Sequence, residues 1–412
     1  MNKNISPHIY VLVAVLVTAA SFEGFKTYGG LDEWFFLPIV ALAGMWGMAN
    51  IIRQSRGKSI FRIDTAIPFS LLAKRALVRY LVWMVVLYSG LKFFQSHAFY
   101  NTYEKSLHFL DTLFDLYLVA GIPYFFITLI VKASRVEDYY DPAVRFVHIA
   151  KQLGRGLILR RRGALAVLKK PYNQKVLLNL LMRVYFIPPM VVQVYFNMDA
   201  AIRFSADDFQ NYNPMAILFW LSALLWFMDA LNASAGYSIE SRWAENRTRS
   251  IDLTVGGWLV CLACYAPLND VTATLFPFGP FIANTAPDTF LLQDNTVIMV
   301  FKLVEITLLA ALVYTDLSLG PSGVNITLKR LQTRGPYGIV RHPGTVCKLS
   351  LWWLQTAVYA QFWMSPQLLF GHLAWNGIYI LRALTEERHL RKHREYREYM
   401  ARVKYRFIPG II

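Results

Sequence analysis

The chain has 412 residues, of which 56% are hydrophobic and 17% charged, with a formal net charge of +16. An ordinary soluble domain carries about a quarter charged residues, so the composition excludes a soluble enzyme and predicts an all-α, polytopic integral membrane protein. The positive charge lies in loops beside apolar runs, where attraction to anionic headgroups accounts for it, and it does not point to a nucleic-acid partner.

In chain order, apolar runs occur at Ile9 to Phe22, Trp34 to Ile52, Ala76 to Phe94, Phe109 to Val131 and Val176 to Phe196. Further runs follow at Pro214 to Gly236, Leu253 to Phe276, Val297 to Leu319, Thr345 to Met364 and Leu368 to Leu384. Roughly 20 apolar residues cross a bilayer, so these runs predict about ten transmembrane helices. The first lacks the basic leader and small-residue cleavage site of a removable signal peptide, and is read as a retained span.

Basic residues fall in alternate loops. Arg53, Arg56, Lys58, Arg62, Lys74 and Arg75 follow the second run, and Arg135 to Lys175, including Arg160 to Arg162, follow the fourth. Arg242, Arg247 and Arg249 follow the sixth, and Lys329, Arg330, Arg334 and Arg341 the eighth. The intervening loops hold only scattered positives beside acids such as Asp32, Asp207, Asp208 and Asp294. By the positive-inside rule this alternation predicts that both termini and the Arg341 loop are cytoplasmic. Arg79, Lys92 and Arg183 lie near enough to span ends to snorkel. The segment from Lys132 to Lys175 sets Leu153, Leu157, Ile158, Leu165 and Leu168 among arginines and lysines. That mixture fits an in-plane interfacial helix or a solvated basic loop.

Cys261 and Cys264 form a C-x-x-C inside a predicted span with no second pair and no histidine at ligand spacing. Packing explains them better than a metal, and no metal site is expected. Cys347 stands alone. There is no internal repeat and no Gly/Ser linker, so the chain divides only into residues 1–296, a transmembrane region of unassigned role, and residues 297–412.

Polar residues recur at helical spacing inside several runs. Asp229, Asn232, Gly236 and Glu240 share one face, as do Lys302, Glu305 and Asp316. Lys302 and Glu305, three residues apart, are placed to neutralise one another or to face a substrate. In the last run His372, Asn376, Tyr379, Arg382 and Glu386 form a stripe, and in the preceding one Lys348, Trp352, Gln355 and Tyr359 form another. Only Ser365, Pro366 and Gln367 separate these two helices, which predicts antiparallel neighbours whose stripes face each other or a cavity.

The stretch "TRGPYGIVRHPGTVCKLSLWW", Thr333 to Trp353, and "LRALTEERHLRKHREYREYMARVKYRFIPGI", Leu381 to Ile411, together resemble the isoprenylcysteine carboxyl methyltransferase and phospholipid methyltransferase family. The shared pattern is G-P-Y and R-H-P at a helix start, a helical hairpin, paired glutamates, and a tail with Glu-Tyr, a second Tyr, Arg-Val and Phe-Ile-Pro. It covers about the last eighty residues, or around 110 with the preceding span.

The resemblance implies an S-adenosylmethionine site with Gly335, Tyr337, Arg341, His342, Pro343, Asn376, Tyr379, Glu386, Glu387 and Tyr399 as cofactor-binding residues. Arg341, His342, Arg382 and Glu387 are its implied catalytic residues. Chemically, Arg341 and His342 suit a carboxylate, Glu386 or Glu387 an ammonium or ribose, and Tyr337 or Tyr399 a cationic or aromatic face. The implied second substrate is a lipophilic small-molecule or lipid-linked acceptor, with membrane lipids as the surrounding partners. Arg382 or Arg341 would orient an acidic acceptor, and Glu387 or His342 would serve as base for an amine or thiol. The family commonly has a tyrosine where Thr345 stands here, and Gly344 adds flexibility before it. Two alternatives remain. "KYRFIPGII" is similar to the tails of NADPH-dependent sterol reductases, while intramembrane Asp229, Lys302 and Glu305 also suit a non-enzymatic transporter or lipid-binding protein.

Overall fold

The computed structural model describes residues 6–55, 62–63, 68–101, 104–132, 142–160, 163–204, 214–240, 246–277 and 287–411. Arg56, Lys58, Arg135, Arg161, Arg162, Asp207, Asp208 and Arg242, which carry part of the charge alternation, lie outside these residues. The described chain is nearly all helical. The principal helices are α1 (Pro7–Tyr28), α2 (Leu37–Ser55), α3 (Phe69–Ser96), α4 (Glu104–Ile130), α5 (Pro142–Ile158), α6 (Pro171–Ile202) and α7 (Pro214–Ser238). They are followed by α8 (Val255–Leu262), α9 (Leu268–Leu275), α10 (Asn295–Leu319), α11 (Pro343–Ala357), α12 (Ala360–Met364), α13 (Pro366–Leu390) and α14 (Arg394–Arg402). Two small antiparallel ladders join β1 (Arg62–Ile63) to β2 (Val131–Lys132) and β3 (Ser250–Ile251) to β4 (Thr327–Leu328).

Among the described residues six helices are long and apolar enough to cross a membrane: α1, α3, Leu107–Ile130 within α4, α6, α7 and α10 with the turn that follows it. Leu37–Arg53 of α2 is apolar but shorter. Large apolar side chains such as Leu12, Val85, Val119 and Ile127 point outward, which suits lipid better than water. Inside, α1, α2, α6, α7 and α10 close on one core around Tyr10, Leu42, Trp46, Met198, Phe227 and Leu312. Gly320, at φ +53°, turns the chain sharply after α10, and a Cβ there would stand 2.7 Å from the Tyr10 ring. Only glycine fits both demands.

Two runs expected to be continuous helices are broken. The run from Leu253 to Phe276 becomes α8 and α9 with a turn at Ala263–Pro267 between them, because Pro267 has no N–H to continue the ladder. The run from Thr345 to Met364 divides into α11 and α12. At the break Phe290 bridges Tyr359 and the Leu291 N–H donates to the Val358 carbonyl at 2.8 Å, so these backbone groups pair outside the helix. The final run, by contrast, is one 25-residue helix, α13.

The basic segment before α6 contains α5, whose buried Ile149 packs against Val176 and Leu180 while Leu157 and Ile158 stay exposed. Cys261 packs with Met182 and Phe186, and Cys264 with Trp375 and Tyr379. Lys302 does pair with Glu305, at 2.7 Å, and Gln355 donates to the same carboxylate at 2.7 Å.

Candidate active site

The segment from Gly335 to Pro343 is held in place by the tail. Gly335–Gly338 forms a short 3-10 turn, with Gly335 at φ +64°, and Pro343 opens α11 at its first position, where a missing N–H costs nothing. The Arg341 and His342 N–H groups donate to the Tyr405 and Arg406 carbonyls at 3.0 and 2.9 Å. The Arg341 guanidinium reaches further along the same strand of tail, to the Val403 and Lys404 carbonyls at 2.9 and 2.6 Å. Tyr399 donates its hydroxyl to the Tyr337 carbonyl at 2.7 Å.

Glu387 is the hub of this clamp. It is 1% exposed, and its carboxylate accepts from Arg341 Nε at 2.6 Å, Arg391 Nη2 at 2.9 Å and Arg406 Nε at 3.0 Å. His342 Nε2 stands 3.5 Å away. Burial alone would raise the Glu387 pKa, but the facing His342 imidazole and the Arg341 and Arg406 guanidiniums outweigh it and hold the group well below the carboxylate range. Glu387 is thus a fixed anion that joins α13, the R-H-P loop and the tail.

Gly344 is a close-approach residue rather than a flexible one. A Cβ at this position would stand 3.2 Å from both Asp316 Oδ1 and Thr315 Oγ1, so its absence lets the start of α11 press against α10. Across the α11–α13 hairpin the two polar stripes do meet, with a shift. Trp352 packs edge-on against Tyr379 at 4.7 Å, and Lys348 stands over the same ring at 5.5 Å. It is Trp353, outside the expected stripe, that donates to Asn376 Oδ1 at 3.1 Å and packs against His372 at 4.4 Å. Gln355 and Tyr359 turn to Glu305 and Phe290 instead.

These elements wall a cavity of about 430 Å³, within the range of small-molecule sites. Of the residues expected in the site, Tyr337, Arg341, His342, Tyr379, Arg382, Glu386 and Tyr399 line it. Gly335, Pro343, Asn376 and Glu387 do not: the first two shape the loop, Asn376 is committed to Trp353, and Glu387 lies behind Arg341.

Arg382 is fixed by Asn325 Oδ1 and by the faces of Tyr265 and Tyr379, 5.2 and 5.4 Å from its guanidinium carbon. Asn325 in turn donates to the Tyr237 and Tyr265 hydroxyls at 2.6 and 2.8 Å. Asp229 and Asp316 also reach the cavity, whereas Glu240 pairs with Arg183 outside it. Sequence reasoning did not single out Asn325, Tyr265 or Arg406, which sit in a loop, a broken helix and the tail, where no periodicity marks a face. Comparison with protein-family models, curated proteins and solved structures gives no match.

Behind the clamp, Ser250 Oγ lies 3.0 Å from His389 Nε2 and 2.7 Å from His393 Nε2, joining the β3–β4 ladder to α13 and α14. Burial pushes the His389 imidazole down from 6.5 to about 4, with Lys392 and Arg388 adding to the effect and Asp252 opposing it. An unfolded or undocked His389 takes up its proton first. The docking free energy is therefore complete above about pH 6.5 and falls as the pH drops towards about 4, by about 3 kcal/mol over that window. Limited proteolysis of the tail should be slow at pH 7.5 and accelerate by pH 4.5, and His389→Asn should flatten that dependence. A wild-type rate equal at both pH values would contradict the role given to this contact.

Proposed function

We propose that the chain is a membrane-embedded S-adenosylmethionine-dependent methyltransferase acting on a lipophilic acceptor, with its site open to the cytoplasm. The supporting observation is one cavity whose wall combines the R-H-P loop, Tyr396 and Tyr399 of the tail and polar side chains from the helix bundle. The donor set fits the cofactor. Its carboxylate, ammonium, sulfonium and adenine call for a cation, an anion and aromatic faces, and Arg341, Glu386, Tyr337, Tyr396 and Tyr399 offer these on one cavity.

When bound, the cofactor supplies an electrophilic methyl group. The chain's own task is then positioning and exclusion of water, since a displacement at carbon needs alignment more than elaborate proton transfer. Arg341, held at Nε and Nη1 by Glu387 and the tail carbonyls, presents a guanidinium that cannot swing away. Glu386 keeps a carboxylate on the cavity while its neighbour Glu387 is consumed by the clamp. Tyr396 and Tyr399, buried on α14, close the cavity on the tail side.

In the orientation that the basic loops imply, a water-soluble cofactor enters at this end and the acceptor enters from the lipid. The test is transfer of a labelled methyl group from S-adenosylmethionine to a total membrane-lipid extract by purified protein. Label in the organic phase is expected; NADPH-dependent reduction of the extract without label would favour reductase chemistry instead.

A further inference from the structure

We propose that the part of the cavity walled by the N-terminal region recognises a neutral, polyhydroxylated headgroup, so that the acceptor is a glycosylated or polyol-bearing lipid. The inference rests on the methyltransferase reading only in calling that lipid the acceptor. Asp229 on α7 and Asp316 on α10 both present carboxyl groups to the cavity wall. Lys348 faces the cavity from α11 and sets its ammonium over the Tyr379 ring. Three helices therefore place acceptors and a donor around one space.

A second, independent feature lies on the same wall. Asn269 Oδ1 and Ser322 Oγ are buried without a hydrogen-bond partner among the described residues, and both residues line the cavity. Buried polar atoms are nearly always satisfied, so orphans on a cavity wall mark positions that a ligand fills. A carbonyl oxygen such as that of Asn269 requires a donor, which a carboxylate or phosphate does not carry.

Donor and acceptor capacity decides among headgroups. Three arginines line the cavity and each is engaged: Arg330 with the Tyr10 hydroxyl, Arg382 with Asn325 and two tyrosine faces, and Arg341 with Glu387 and two tail carbonyls, its remaining nitrogen being assigned to the cofactor. An anionic headgroup brings only acceptors to this wall and leaves Asn269 Oδ1 without a donor. An ammonium headgroup would meet Lys348. A hydroxyl both donates and accepts. Several hydroxyls on one ring can satisfy the aspartates, Lys348, Asn269 and Ser322 together, while the ring's apolar face rests on Trp226.

The experiment uses full-length protein in a sugar-free amphipol and radiolabelled octyl β-D-glucoside below its micellar concentration. Saturable binding is expected, displaced by unlabelled octyl glucoside and not by octanoate, octylamine or free glucose. Asp229→Asn/Asp316→Asn and, separately, Lys348→Met should each weaken it at least tenfold while S-adenosylhomocysteine binding in the same samples reports intact folding. Failure of octyl glucoside to saturate, or equal displacement by octanoate or octylamine, would overturn the headgroup assignment even if S-adenosylhomocysteine binds. Equal displacement by free glucose would overturn its lipid-linked character. Saturable glucoside binding without S-adenosylhomocysteine binding would uphold the headgroup assignment and remove the methyltransferase reading instead.

Discussion

Glu387→Ala should release the tail from the R-H-P loop and cause the largest loss of cofactor affinity of any single change. The substitution leaves the guanidiniums of Arg341, Arg391 and Arg406 gathered around an empty space, with Arg341 only 5% exposed. Removing one partner of a buried ion pair costs roughly 3–5 kcal/mol, because the remaining charge stays unpaired and poorly solvated. The first readout is hydrogen exchange at Arg341 and His342, whose amides donate to Tyr405 and Arg406. Their protection should collapse while α6 and α7 stay protected. Affinity for S-adenosylhomocysteine should fall at least about tenfold, the equivalent of about 1.4 kcal/mol. Glu387→Gln keeps the shape and one acceptor oxygen, so its effect should be intermediate. If Glu387 were a surface residue paired only with Arg391, one turn along the helix, the change would cost under about 1 kcal/mol and leave those amides protected.

Arg382→Met should have the next largest effect, through the opposite wall. The guanidinium bridges Asn325 on the loop after α10 to Tyr265 beside α8 and Tyr379 on α13. Methionine matches its length but leaves Asn325 Oδ1 without a donor and removes two cation–π contacts, a loss of roughly 2–4 kcal/mol. Melting temperature in detergent should drop clearly, and methyl transfer should fall at least about tenfold. Arg382→Lys retains a charge between the two rings but not the fork that reaches Asn325, so it should recover part of the stability. S-adenosylhomocysteine affinity should change less than about threefold in Arg382→Lys, because the residues proposed to hold the cofactor, Glu386 apart, lie on the loop and tail. A melting temperature unchanged by Arg382→Met would show that Asn325 and the tyrosines hold their positions without it.

Much of this site was legible in the chain's pattern, and the misses have physical causes. The stripe through Tyr379, Arg382 and Glu386 does face the cavity with Tyr337, Arg341, His342 and Tyr399. Periodicity fixes which residues share a helix face; it does not fix what that face meets. Hence Trp353 rather than Trp352 binds Asn376, and Asn376 is spent on helix packing. Adjacent glutamates look equivalent in sequence, yet a helix turns about 100° between Glu386 and Glu387. One faces the cavity and the other faces three arginines. Gly344 could be read only as flexible until Asp316 was seen pressed against it. The helix breaks at Pro267 and Val358 lie within apolar runs, where hydropathy alone cannot separate a span from a turn.

The most direct measurement of cofactor identity is a calorimetric titration of the purified protein with S-adenosylhomocysteine and, in parallel, with NADPH. Saturable binding of S-adenosylhomocysteine near one per chain is expected, weakened at least about tenfold by Arg341→Lys, which keeps the charge and loses the guanidinium geometry. NADPH should give no saturable heat. Saturable NADPH binding with no response to S-adenosylhomocysteine would contradict the assignment of this cavity to methyl transfer.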